Sequence, residues 1–216
     1  MPLKLYGYFR SSASYRVRIA LNLKGLAYKH VSIHLRKGAQ FDKKYTKLNP
    51  QEQVPTLITE QGETLVQSPA ILEWLDEQYP WPSLIPKDPS DRARVRALAA
   101  VVGCDIHPVD NLRVLKYVTG ELGADDKKLA AWFNHWIELG FNGYEAMLAG
   151  DERTGDFSHG DAPSMADVYL VPQVFNSKRY GLSLDPWPNI ARIYDNCEKL
   201  DAFIAAHPKN QPDWED

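Results

Sequence analysis

Apolar residues recur along this chain in two rhythms, and the change from one to the other divides it. Leu3 and Leu5 alternate with Lys4 and Tyr6, the period of two that marks a half-buried strand. Residues 14–24 then place Val17, Ala20 and Leu21 on one helical stripe, and Gly25 stops the helix. In residues 28–35 Val31, Ile33 and Leu35 share one face of a second strand. Residues 54–68, VPTLITEQGETLVQS, read as two short strands joined at Gly62. SPAILEWLDEQYP follows as a helix, with Ser68 as its expected N-cap and Pro69 at the first helical position, where a missing N–H costs nothing. The order is β-α-β, a longer connection, then β-β-α.

Residues 80–91, PWPSLIPKDPSD, form a stiff, proline-rich connector, after which strand patterns stop. Residues 91–118 are helical in period, with Val95, Leu98, Ala99 and Val102 on one stripe and a kink expected at Pro108. Leu129, Trp132, Phe133, Trp136, Ile137, Tyr144 and Leu148 make a longer stripe. Another helix starts at SMAD, where Ser164 and Asp167 have the spacing of a capping box, and a further one near Pro188 carries Ile190, Ile193, Tyr194, Cys197 and Leu200. The expectation is an α/β domain over 1–83, a linker over 84–90 and an all-α domain over 91–216, with a loose polar tail from Pro208.

Composition narrows the class. A formal charge of −3 argues against a nucleic-acid binder that relies on a basic surface. Two cysteines, Cys104 and Cys197, make neither a metal spacing nor a CxxC pair, so no metal site is expected and the thiols suit a reducing compartment. No segment has the length and apolarity of a signal peptide or a membrane span. A cytoplasmic protein with no membrane or nucleic-acid partner is expected.

Three local features carry candidate chemistry. Val54-Pro55 leads into a strand; a cis peptide there would offer a backbone edge to a peptide-like ligand, and a trans proline opening an edge strand is the ordinary alternative. Gln67 and Ser68 stand where a strand gives way to a helix N-terminus, whose free N–H groups and dipole attract carboxylates; Ser68 also serves as a plain cap. Ser11, Ser12 and Ser14 crowd the start of the first helix beside Arg10. One hydroxyl suffices to cap it, and a second is available to an anion at the same dipole.

Together these features resemble the cytosolic glutathione transferases, a thioredoxin-like α/β domain followed by a helical one. SSASYRVRIALNLKG is similar to the zeta-class signature, and LNPQEQVPTL, QSPAILEWLDEQYP, ADVYLVPQV and HPKNQPD have counterparts in that class. GCDIHPVDNLRVLKY resembles the bacterial maleylacetoacetate and maleylpyruvate isomerases. The resemblance implies glutathione as cofactor, a small dicarboxylate substrate and a homodimer. It implies that Ser11 faces the glutathione sulfur with Ser12 and Arg10 beside it. Val54 would pair backbone groups with the cysteinyl unit, and Gln67 and Ser68 would hold the γ-glutamyl end. His107 and Asn111, four apart and so on one helical face, would reach glutathione from the helical domain. Arg10, Arg113 and Arg179 would take the substrate's carboxylates, while Arg16 and Arg18 are read as structural. The class's cysteine after the serine pair is Ala13 here, so no protein thiol acts at that position.

The implied reaction is conversion of maleylacetoacetate to fumarylacetoacetate by thiolate addition, rotation and elimination. Three alternatives stand beside it: the same chemistry on maleylpyruvate, sulfur transfer to small α-haloacids, and a non-catalytic adaptor of the same fold.

Overall fold

The computed structural model describes residues 1–215, which separate into two compact units: Met1–Leu84 with Glu198–Asp216, and Ile85–Cys197. The closing segment therefore belongs with the first unit, whereas the sequence pattern alone runs the helical domain on to residue 216.

In the first unit, β1 (Leu3–Gly7) leads into α1 (Ser12–Leu23) and β2 (Tyr28–Ser32). A short helical turn, α2 (Lys43–Thr46), precedes β3 (Thr56–Ile58), β4 (Thr64–Val66) and α3 (Ser68–Gln78). The sheet order is β2-β1-β3-β4. β1 and β2 run parallel, with Leu5 opposite His30, and β3 is antiparallel to both β1 and β4. The hairpin turns at Gly62, whose φ of 90° suits a residue without a Cβ. Leu3 and Leu5 are buried, as the alternation of β1 predicts. Gly7 closes that strand against α1: a Cβ there would lie 3.2 Å from both Cβ and Oγ of Ser14.

Arg16 and Arg18 are buried in the middle of α1, at 1% and 0% exposure, which agrees with their reading as structural residues. Arg18 donates to the carbonyls of Phe9 (3.0 Å), Tyr8 (3.4 Å) and Ala206 (2.9 Å). Burial pulls its pKa down to about 10, so the guanidinium stays charged at neutral pH. Residues 208–215 are not loose. Gln211 is buried and donates to the carbonyls of Ala205 and His207 at 2.9 and 3.0 Å.

The second unit is helical: α4 (Pro89–Ala100), α5 (Leu112–Gly120), α6 (Asp126–Ala149), α7 (Met165–Arg179) and α8 (Pro188–Cys197). The buried line on α6 is Phe133, Ile137, Phe141, Tyr144 and Leu148, a spacing of four and three that makes one face. α7 starts at the expected box: the Asp167 carboxylate accepts from Ser164 N–H at 2.8 Å, from its hydroxyl at 2.9 Å and from Ser158 N–H at 2.9 Å. α9 (Asp201–Ala206) belongs to the first unit and packs on α1.

Two expectations fail in detail. The helical run over 91–118 is broken, not kinked: α4 passes into a π-helical turn, Val101–Ile106, then an irregular turn holding Pro108, before α5 begins. Ser68 is the first helical residue of α3, and Gln67 is its N-cap. No helix among the described residues is long and apolar enough to cross a membrane.

Candidate functional site

The serines at the mouth of α1 divide their work. Ser11 is the N-cap, and its Oγ accepts from Ser14 N–H at 3.2 Å. Ser14 is fully buried, and its own Oγ accepts from Tyr8 N–H at 3.4 Å. Ser12 is buried at the first helical position, and its hydroxyl makes no hydrogen bond among the described residues. The residue expected to face sulfur is thus also the cap. The two roles are compatible, because a hydroxyl that accepts from an N–H keeps its own proton to donate. Arg10 is half-buried, with its guanidinium 5.1 Å from the Phe9 ring centroid. No acidic residue lies in the first turn of α1, so the dipole there is uncompensated.

The second cluster of the first unit gathers around β3 and the start of α3. Val54-Pro55 is cis, against the ordinary trans alternative. Val54 is buried, and its backbone N–H and C=O make no hydrogen bond among the described residues. Gln67 has φ 69° and ψ 117°, a rare conformation for a residue with a Cβ. Its side-chain amide donates to Gln51 Oε1 at 2.7 Å. Ser68 is buried, and its Oγ accepts from Arg16 Nη1 at 3.4 Å. Sequence reasoning places Arg16 in the fold but misses this contact; a buried arginine gives no local signal of its partner.

The donor set fits glutathione. A hydroxyl and a helix N-terminus suit a thiolate. A residue beside the cis-proline with an unpaired N–H and C=O suits a peptide unit. A second helix N-terminus backed by a buried guanidinium suits a carboxylate.

In the second unit the expected residues lie around the break after α4. His107 caps the π-helical turn, its N–H bonded to Val102 O at 2.9 Å. Asn111 is the N-cap of α5, with Oδ1 accepting from Arg113 N–H at 3.1 Å. The two therefore do not share a helical face, because a turn separates them. Arg113 is exposed in the first turn of α5. Arg179 is exposed in the last turn of α7, with Nη1 3.2 Å from Asn176 Oδ1. Between His107 and Asn111 stands Asp110, which sequence reasoning misses. It is 6% exposed, neither carboxylate oxygen has a hydrogen-bond partner among the described residues, and burial pushes its pKa up to about 8.

Comparison with known proteins gives a consistent answer. Residues 1–77 match the model of the glutathione S-transferase N-terminal domain. A maleylpyruvate isomerase from Ralstonia is 50% identical over 98% of this chain and 99% of that protein. A maleylacetoacetate isomerase from Pseudomonas aeruginosa is 47% identical over 98% of each. The holo structure of a maleylpyruvate isomerase, described as a bacterial zeta-class glutathione transferase, superposes with a TM-score of 0.96 at 49% identity, covering 98% of this chain and 100% of that one. A maleylacetoacetate isomerase from Anaeromyxobacter dehalogenans holds dicarboxyethyl glutathione and citrate in its active site. Its TM-score is 0.88 at 42% identity, covering 100% of this chain and 98% of that one. With relatives this similar along nearly its whole length, and with their fold, the chain belongs to the zeta class of the glutathione transferase family.

Proposed function

We propose that this protein is a glutathione-dependent cis–trans isomerase that converts maleylacetoacetate to fumarylacetoacetate. The observation that carries the reading is the Ser11 hydroxyl. It is fixed by Ser14 N–H at the start of α1 and still has a proton to give. Bound glutathione supplies a thiolate that adds to the substrate's alkene, allows rotation about the resulting single bond, and leaves again unchanged. The protein's part is to keep that sulfur ionised and to hold a doubly negative substrate. A free thiol has a pKa of about 8.5, and a hydrogen bond to a charged group contributes about 1.5–3 kcal/mol. Donation from Ser11, helped by the α1 dipole and the Arg10 charge, therefore lowers the thiol's pKa by about one to two. Ser12, at the first helical position, presents a second hydroxyl to the same turn.

Val54 offers its N–H and C=O to the cysteinyl unit, and Gln67 and Ser68 with the α3 N-terminus hold the γ-glutamyl carboxylate. His107 and Asn111 complete the glutathione contacts from the helical unit. Arg10, Arg113 and Arg179 take the carboxylates and the oxygen charge that develops when sulfur adds; arginine suits this, being always charged and able to bind bidentately. The dicarboxyethyl ligand of the Anaeromyxobacter enzyme supports a site of this class accepting glutathione and two carboxylates together.

A second reading, maleylpyruvate as substrate, is favoured by the Ralstonia relative, whose identity is slightly higher. Parallel assays on the two substrates decide: a markedly higher kcat/KM on maleylacetoacetate supports the first reading, and the reverse supports the second. Glutathione consumption or halide release from α-haloacids at a comparable rate would point to a transferase instead, and no turnover of any substrate to an adaptor. A homodimer in the cytoplasm completes the proposal. The family resemblance supports the dimer, and two cysteines outside any disulfide suit a reducing compartment. Sedimentation at working concentration tests the dimer.

A further inference from the structure

The turn that carries Arg10 and Ser11 belongs to no sheet ladder and no helix, yet the backbone polar groups leading into it are held. Tyr8 O accepts from Ser11 N–H at 3.0 Å and from Arg18, and Tyr8 N–H is taken by Ser14 Oγ. Phe9 O accepts from Arg18 Nη2 at 3.0 Å. The remaining group, Phe9 N–H, is taken from the far end of the chain: it donates to Asp213 Oδ2 at 3.2 Å. The same oxygen accepts from Ser32 Oγ at 2.9 Å, and Asp213 Oδ1 lies 3.1 Å from His30 Nε2. Both side chains of that pair are more than nine-tenths buried. Trp214 packs its ring against Phe9 in an edge-to-face arrangement, centroids 5.2 Å apart, within the small core formed by Tyr8, Phe9, Ile33, Tyr45 and Val54. Glu215 reaches His34 Nε2 at 2.6 Å in a half-buried contact, and Lys37 Nζ at 3.3 Å in an exposed one.

We infer that residues 213–215 clamp the Phe9–Ser11 turn, and that Asp213 is a positioning residue for the Ser11 hydroxyl. The inference rests on the reading of Ser11 as the donor to sulfur. A carboxylate is a costly group to bury, and here it serves one loop N–H and the neighbouring strand β2. The arrangement ties the turn to β2 through Ser32 and His30. Arg18, which also holds Ala206 O at the end of α9, ties it to the segment from which Asp213 comes. Without Asp213 the Phe9 N–H loses its acceptor, and the turn is left with its bonds at Tyr8, Ser11 and Arg18 but without its tie to β2, so it opens more often. The helix itself, held by Leu21, Val17 and Ile19 in the core, stays in place.

Hydrogen exchange of the 8–12 backbone, measured on the protein without glutathione, reads the clamp directly. Asp213→Ala is expected to speed exchange there about 10- to 100-fold, the consequence of losing a charge-assisted bond, while the core of α1 is unchanged. Asp213→Asn keeps an oxygen for Phe9 N–H and restores most of the protection. The second readout is the pKa of the bound glutathione thiol, followed by thiolate absorbance. Removing a nearby negative charge would by itself lower that pKa; lost positioning of Ser11 raises it. Asp213→Ala is expected to raise it, with Ser11→Ala as the reference for complete loss. Unchanged exchange in 8–12, or a lowered thiol pKa, overturns the clamp. If Ser11→Ala also leaves the thiol pKa unmoved, the reading of Ser11 fails, and exchange alone decides for or against the clamp. Should Asp213→Ala not fold, Trp214→Ala carries the exchange test: faster exchange confined to 8–12 supports the clamp, and no change refutes it.

Discussion

Arg16 donates from the buried middle of α1 to the Ser68 hydroxyl on the first turn of α3, Nη1 to Oγ 3.4 Å. One guanidinium thereby places its charge beneath the second helix N-terminus that the ligand is proposed to use. Arg16→Lys keeps a charge but loses the planar fork, and a lysine's single ammonium does not reproduce the contact. The expected outcome is a raised KM for glutathione with kcat less affected, together with a lowered melting temperature. An unchanged KM would separate Arg16 from ligand binding.

The Ser11 cap has a structural role as well as a chemical one. Ser11→Ala removes the acceptor for Ser14 N–H, so stability should fall by about 1 kcal/mol. Turnover should fall far more, while glutathione binding is largely kept. Ser12→Ala, which breaks no protein hydrogen bond, should leave the melting temperature nearly unchanged. Thermal melts and steady-state kinetics on both variants check the division. Equal losses of turnover would deny Ser11 its special place.

Asp110 gives the protein a pH dependence. Its ordinary value is 3.8, and burial raises it to about 8 in the folded state. Between these values the folded state holds a proton that the unfolded state has lost, so stability from this group is full below about pH 4 and declines as pH rises through about 8. Asp110→Asn keeps the shape and removes the titration. The gain in melting temperature should be larger at pH 7.5 than at pH 5; equal gains at both would contradict a raised Asp110.

Gly140 on α6 faces Ile106 at the end of the π-helical turn. A Cβ there would sit 2.3 Å from Ile106 Cγ1 and 2.4 Å from Cδ1. Gly140→Ala should therefore destabilise by about 1–3 kcal/mol, and pairing it with Ile106→Ala should recover part of the loss. Additive losses in the double variant would mean that the two residues do not meet.

What the sequence shows of all this depends on how local the cause is. Gly62 in the hairpin, the Ser164–Asp167 box and the apolar stripe of α6 are legible because each is made by residues a few positions apart. The positive φ of Gln67 is not, because nothing in a glutamine marks it for that conformation. The run across Pro108 is misread because its apolar period continues into a turn where the backbone does not. The closing segment is misread for the opposite reason: its residues look polar and unpatterned, and their partners, Phe9, His30 and Ser32, lie about two hundred positions away. The serine cluster is legible as chemistry only through its resemblance to a family. Capping alone would explain any single serine, and the structure gives Ser11 that role without removing its proton.

The central claim is that the Ser11 hydroxyl keeps the glutathione sulfur ionised. Titrating the thiolate absorbance of glutathione bound to the wild-type protein and to Ser11→Ala tests it most directly. The wild-type complex should titrate about one to two below the free thiol's value of about 8.5, and the variant should move back toward that value while still binding. Identical titration curves for the two proteins would contradict it.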